Sequence, residues 1–349
     1  MLLSGHTALD LLITPALPLA AAGMILAVRR RSTVRDAVPV IAAVLTFLSI
    51  IRWLPVVRGG VVPCGTVCTL YPGISLTLAL DGMGMLFAAT AALLWAVAGL
   101  YCIGYLRTLC EHAQTRFYVC YTLAVGGAMG AALAGNLFTL YLCYEIVTVV
   151  TYPLVAHHQD AEAYRSGRKY LVYLVGTAKL FLLSGLALIY AVCGTLDMNI
   201  RDIGSGIFPA AAPRTLVIAA YGLCLLGCAK AAVMPLHNWL PAAMVAPTPV
   251  SALLHAVVVV KVGVFSICRI MLSVFGTDML ARYDLGAITA GIAAVTIIAG
   301  SLIAMAKTDL KARLAYSTVS QLSYIVLGTA MLGPAGMTGG LAHIANHAF

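Results

Sequence analysis

Polar and charged positions along this chain are sparse, and the stretches between them are long. Apolar runs of about 18 residues or more recur over the whole length, which predicts helices that cross a membrane. The runs are continuous instead of alternating, which disfavours a transmembrane β-barrel. They predict full spans near 11–28, 37–54, 83–106, 117–134, 137–156, 170–193, 215–233, 248–270, 286–305 and 311–332. A further span begins near 337. The seventh reads as longer and broken, because Pro235 and Pro241 closely follow Lys230 and each removes a helical hydrogen bond.

Composition agrees. Of 349 residues, 62% are hydrophobic and 9% charged, with a mean hydropathy of +1.00. Soluble domains carry roughly 25% charged residues. The pattern gives an all-α class, a polytopic transmembrane helical bundle of ten to eleven spans, and no soluble domain.

Net charge is +9. It does not point to nucleic acid, since the basic residues sit in short loops as the positive-inside rule requires. Twelve lysines and arginines fall on one side: Arg29, Arg30, Arg31, Arg35, Arg107, Arg116, Arg165, Arg168, Lys169, Lys307, Lys311 and Arg313. Six fall on the other: Arg52, Arg58, Arg201, Arg214, Arg269 and Arg282. The excess places the first side in the cytoplasm and the N-terminus outside, in a cell inner (plasma) membrane.

Three basic residues remain, Lys179, Lys230 and Lys261, and all lie within spans. Among the acidic residues, Glu145 is the one deep in a span, while Asp10 and Asp81 are near span ends. Each such charge costs roughly 2.5–3.5 kcal/mol at the bilayer centre, so four cost on the order of 10 kcal/mol unless offset. Intramembrane ionisable groups usually mark ion pathways or proton relays. Burial disfavours the charged form of lysine, so these lysines can gain and lose a proton, whereas arginine stays charged. Bland alternatives exist: Lys179 snorkelling to an interface, Glu145 joining helices, and His255 as a core histidine bonded to Ser251 one turn earlier.

His255 and Lys261 are six apart and do not share a helix face. In the tenth span, "AYSTVSQLSY", Ser317, Gln321 and Tyr324 share one, suited to bonding neighbouring helices or holding water. No metal site is expected, since His343 and His347 lie on another span without a carboxylate. Of ten cysteines, Cys64 and Cys68 fall in a loop, where free thiols are expected and a disulfide is the alternative. "HHQD", His157 to Asp160, is a weak motif in a cytoplasmic loop. No cofactor fingerprint is found, so no redox chemistry is assigned to the chain itself.

The stretch "KAAVMPLHNWLPAAMVAPTPVSALLHA" resembles the signature of the antiporter-like subunits of respiratory complex I, Mrp-type cation/proton antiporters and energy-converting hydrogenases. "GISLTLALDGMGMLFA", "AGNLFTLYLCYEIVTVVTYPLV", "TDLKARLAYSTVSQLSYIVLG" and "HIANHAF" extend the likeness over nearly all the chain after residue 70. The resemblance implies an inverted-repeat fold: residues 1–110 as spans one to three, 111–270 as a first repeat of spans four to eight, and 284–349 as the start of a second repeat, cut off. It implies a proton relay through Glu145, Lys230, His255 and Lys261, with Glu145 ion-paired to Lys230. His343 and His347 match later central histidines, and Lys179 is a weaker candidate. It implies protons, or sodium with them, as cargo. Other membrane subunits, antiporter-like paralogues among them, are the implied partners, within a cation/proton antiporter or an NADH dehydrogenase- or hydrogenase-type pump. The alternatives are a self-contained antiporter, a membrane-embedded redox enzyme subunit, or a fragment inactive alone.

Overall fold

The computed structural model describes residues 6–349, and the backbone alone at His6 and residues 253–256. Two long helices, α1 (His6–Ala27) and α2 (Ser32–Ile51), lead through a short α3 (Leu54–Arg58) to a hairpin of β1 (Cys64–Tyr71) and β2 (Ile74–Ala79). Then come α4 (Gly82–Thr108), α5 (Gln114–Ala132), α6 (Leu137–Val155), α7 (Ala161–Thr177) and α8 (Leu183–Cys193). After these come α9 (Arg214–Gly227), a short α10 (Trp239–Ala242), α11 (Val259–Ile270), α12 (Gly276–Arg282), α13 (Leu285–Ala306), α14 (Leu310–Ala330) and α15 (Pro334–Asn346). Seven of the described helical segments are long and apolar enough to cross a membrane by length and composition. With α5, α9, α14 and α15 they stand at the eleven places that the hydrophobic pattern assigns.

Helix starts follow side-chain chemistry. Asp81 caps α4 by accepting from Gly84 N at 2.9 Å, and Asn136 caps α6 by accepting from Thr139 N at 2.8 Å. Asp160 does the same for α7 at 2.7 Å, and Asp309 for α14 at 3.0 Å. Each satisfies a backbone donor that the first helical turn leaves open.

Four features depart from the sequence reading. First, Cys64 and Cys68 sit on a strand, not in a loop; the hairpin closes at Pro72–Gly73, where Gly73 has φ +78°. Both thiols are free. Second, the seventh span breaks before its prolines: α9 ends at Gly227, one 3-10 turn covers Ala229–Ala231, and Ala232 adopts φ +53°. Third, the sixth and eighth spans contain wide π-helical turns, at Ala178–Leu182, Val250–Val258 and Met271–Phe275. Fourth, Arg269, assigned to a loop by its charge, lies within α11 and is 1% exposed.

The eighth span is the axis of the bundle. The most apolar stretch of Val259–Arg282 is buried throughout, whereas the other candidate spans leave at least half of theirs open. Arg269 is held there by a bidentate pair with Asp81, both contacts at 2.7 Å, which ties α11 to the start of α4. At the opposite end, Asp36 is 1% exposed and takes one oxygen to Arg35 and the other to Arg107, each at 2.7 Å. This joins α2 to the end of α4.

Removing one partner of a buried pair strands the other charge. Asp81→Ala should therefore lower the stability of the purified protein by about 3–5 kcal/mol, read as a fall in thermal midpoint in detergent. Asp81→Ala with Arg269→Met should recover most of the loss, and equal midpoints for the single variant and wild type would show that the pair carries no weight.

Candidate functional site

The site is built where α6 meets the broken seventh span. Tyr144 and Glu145 are neighbours on α6. The N–H of Lys230 donates to the Tyr144 hydroxyl at 3.1 Å, and that hydroxyl donates to the Gly227 carbonyl at 3.3 Å. Trp239 Nε1 donates to the Ala229 carbonyl at 2.9 Å. The break thus leaves polar backbone in the interior and pairs it with side chains, which is how irregular backbone is tolerated at membrane depth.

Lys230 is fully buried. Its Nζ donates to the backbone carbonyl of Tyr144 and lies 3.2 Å from the centre of the Tyr144 ring. The same carbonyl accepts the Thr148 hydroxyl at 3.2 Å. Carbonyl oxygen and ring face both favour a cation.

Glu145 is half-buried, and its Oε1 lies in the interior without a hydrogen-bond partner. The charges of Lys230 and Lys179 both act on it. Among the described residues no direct ion pair joins Glu145 to either lysine, so the expected Glu145–Lys230 contact is replaced by the hold of Tyr144 on the ammonium. Lys179 lies in the π-helical turn midway along the sixth span and is exposed on the outside of the bundle.

The eighth span lies directly against this turn. A Cβ on Gly263 would overlap the Ala231 nitrogen and come within 2.7 Å of Lys230 Cβ. Only glycine allows that approach. Two residues before Gly263, Lys261 is fully buried, and its Nζ is 2.6 Å from His347 Nδ1. At that distance the two are hydrogen-bonded, one nitrogen donating and the other accepting. His255 lies in the π-helical stretch before Lys261, and its side chain is outside the described residues.

One space reaches His347 and a second reaches His343. A cavity of about 300 Å³ is lined by Met244, Thr248, Ser251, Lys311, Thr318 and His347. Lys311 Nζ donates to the Ala246 carbonyl beside it at 3.1 Å. A groove of about 640 Å³ runs between α14 and α15 past Gln321, Tyr324 and His343. There His343 Nε2 bonds Gln321 Oε1 at 2.7 Å, and its ring meets Tyr324 edge-on. Gln321 and Tyr324, two members of the polar face of the tenth span, meet this histidine. The His343 and His347 rings are 6.2 Å apart.

Sequence reasoning missed two parts. Tyr144 gives no signal, because it acts through its backbone carbonyl and its ring. Glu111, His112 and His157 converge, with ligand atoms within 4.8 Å of one another, from two connections far apart in the chain. "HHQD" was the single local trace of that meeting.

The transmembrane family described as NADH:quinone oxidoreductase/Mrp antiporter matches residues 134–349. A probable K(+)/H(+) antiporter A/B subunit from Rhizobium meliloti is 33% identical over 279 residues, which are 79% of this chain and 27% of that protein. The L subunit of NADH-quinone oxidoreductase from Mycobacterium tuberculosis is 34% identical over 279 residues, 78% of this chain and 41% of that one. In the Mrp complex from Dietzia sp. DQ12-45-1b, one chain superposes with a TM-score of 0.84 at 27% identity, covering 97% of this chain and 61% of that one. The chain thus spans about a quarter to two-fifths of the length of these two curated relatives.

Tyr144→Phe removes the hydroxyl and leaves the Lys230 N–H and the Gly227 carbonyl without that partner. It should cost about 1–3 kcal/mol, measured as a lowered thermal midpoint in detergent. The ring and backbone carbonyl that hold the Lys230 ammonium remain.

Proposed function

The chain belongs to the NADH:quinone oxidoreductase/Mrp antiporter transmembrane family, and from that premise we propose that it is a proton-translocating subunit of a multisubunit membrane complex. The complex is a cation/proton antiporter or a redox-driven pump, its other membrane subunits include antiporter-like paralogues, and the cation gradient or redox energy comes through the partners. The N-terminus lies outside the cell inner membrane, on the charge balance of the loops.

The observation that carries this reading is the adjacency of two fully buried lysines across Gly263. Lys230 and Lys261 sit on elements in van der Waals contact, and each has a partner that tolerates the loss or gain of a proton. In the proposed path, Lys230, His255 and Lys261 are successive stations. His347 exchanges with Lys261, and His343 lies beyond it. The cavity beside Lys311 brings water to the His347 end, on the cytoplasmic side in this orientation.

Glu145 sets the proton affinity of Lys230 through space. Its negative charge favours the ammonium, and a competing positive charge weakens that effect. A shift of one pKa unit corresponds to about 1.4 kcal/mol. Lys179, exposed on the bundle surface, supplies a second charge on the same carboxylate. A neighbouring subunit packed on that face has access to Glu145 through it. Residues 111–270 would form the repeat that contains this half-path.

The test uses membrane vesicles holding the complete complex, with a pH-sensitive dye followed after energisation. Lys230→Met and Lys261→Met should each abolish the dye response while the complex still assembles. Glu145→Gln should slow the response without abolishing it. A full response from Lys230→Met would exclude the path.

A further inference from the structure

We propose that Glu111, His112 and His157 form a binding site for a divalent transition-metal cation, Zn2+ foremost, at the end of the bundle that holds the α4–α5 and α6–α7 connections.

The three residues come from two connections. Glu111 and His112 lie between α4 and α5, and His157 follows α6. Glu111 Oε2 is 3.6 Å from His157 Nε2 and 3.9 Å from His112 Nδ1. All three ligand atoms fall within 4.8 Å of one another. Zinc bonds of about 2.0–2.2 Å in a tetrahedron put ligand atoms about 3.4 Å apart. The cluster is therefore within small side-chain rotations of a three-ligand site. Two imidazoles and a carboxylate with an open fourth position for water are a known donor set for Zn2+, and imidazole suits such metals.

The independent observation is His157. Its side chain is fully buried, yet neither ring nitrogen makes a hydrogen bond of good geometry. A buried imidazole without partners costs free energy unless something satisfies it. Glu111 does not supply this, because its Oε2 stands 3.6 Å from His157 Nε2, beyond hydrogen-bond distance.

Packing fixes the ring. His157 lies 4.7 Å from the His112 ring, and edge-on to Phe117 at 5.6 Å and His158 at 5.7 Å. Arg116 donates to the His157 backbone carbonyl at 3.0 Å, and its positive charge opposes a cation. The site is thus suited to a reversibly bound metal and not to a permanent structural one. His112 is exposed and gives the ion a way in.

The chain would be purified with whatever subunits accompany it and dialysed against defined free Zn2+ concentrations, and metal content measured. Wild type should take up one Zn2+ per chain that Glu111→Gln and His112→Ala bind roughly tenfold more weakly or worse. Both variants alter the outer part of the cluster, so their monodispersity in detergent should match wild type. Co2+ in place of Zn2+ should give wild type the strong visible absorption of a four-coordinate site, lost in both variants. Equal Zn2+ content in wild type and both variants, or no uptake by wild type, would overturn the proposal. The readout is metal content, so it stands or falls separately from proton transport.

Discussion

An ammonium or guanidinium in the middle of a bundle has to be met by electron density that the protein itself supplies. Much of this architecture follows from that constraint. Lys261 and Arg269 lie on the enclosed eighth span, and Lys230 is pressed against it. Each has its own solution: a carbonyl and ring from Tyr144, an imidazole from His347, a carboxylate from Asp81. These solutions fix where α6, α15 and α4 can lie around the axis. The ionisable residues are therefore structural determinants as well as candidate relay groups.

The helices at the eleven predicted positions were legible because hydrophobic length is a non-local average that survives local irregularity. The irregularities were not legible. The seventh span breaks at Lys230 and not at Pro235 because the Lys230 N–H finds the Tyr144 hydroxyl, which no local pattern announces. The hairpin at 64–79 leaves no such trace, because its two short strands are bounded by helices and lie between predicted spans, where Cys64 and Cys68 read as loop residues. The π-helical turns leave the hydrophobic pattern unchanged and so have no signature in it.

The candidate site was legible to the extent that its groups are ionisable. Lysines inside apolar runs are rare enough to stand out, and Lys230 and Lys261 are both fully buried. Lys179 stood out in the same way but faces outward, since one helical position decides which side of a span is seen. The partner of Lys230 was expected to be the carboxylate of Glu145 and is instead the preceding residue. A neutral backbone oxygen holds the amine without fixing its protonation state as firmly as a carboxylate would. The pairing of Lys261 with His347 joins residues 86 apart, and the meeting of Glu111 with His157 spans two loops. Neither is a matter of spacing.

The wide turn at Val250–Val258 has a consequence for which length changes the chain tolerates. An α-helix advances about 100° per residue. A π-helical turn holds about one residue more than an α-helical one over the same rotation. Deleting one residue there, and letting the turn tighten to an ordinary helix, would therefore keep Lys261 against His347, Gly263 against the Lys230 turn and Arg269 against Asp81. A deletion within α11 itself has no such slack and would rotate everything beyond it by roughly that angle.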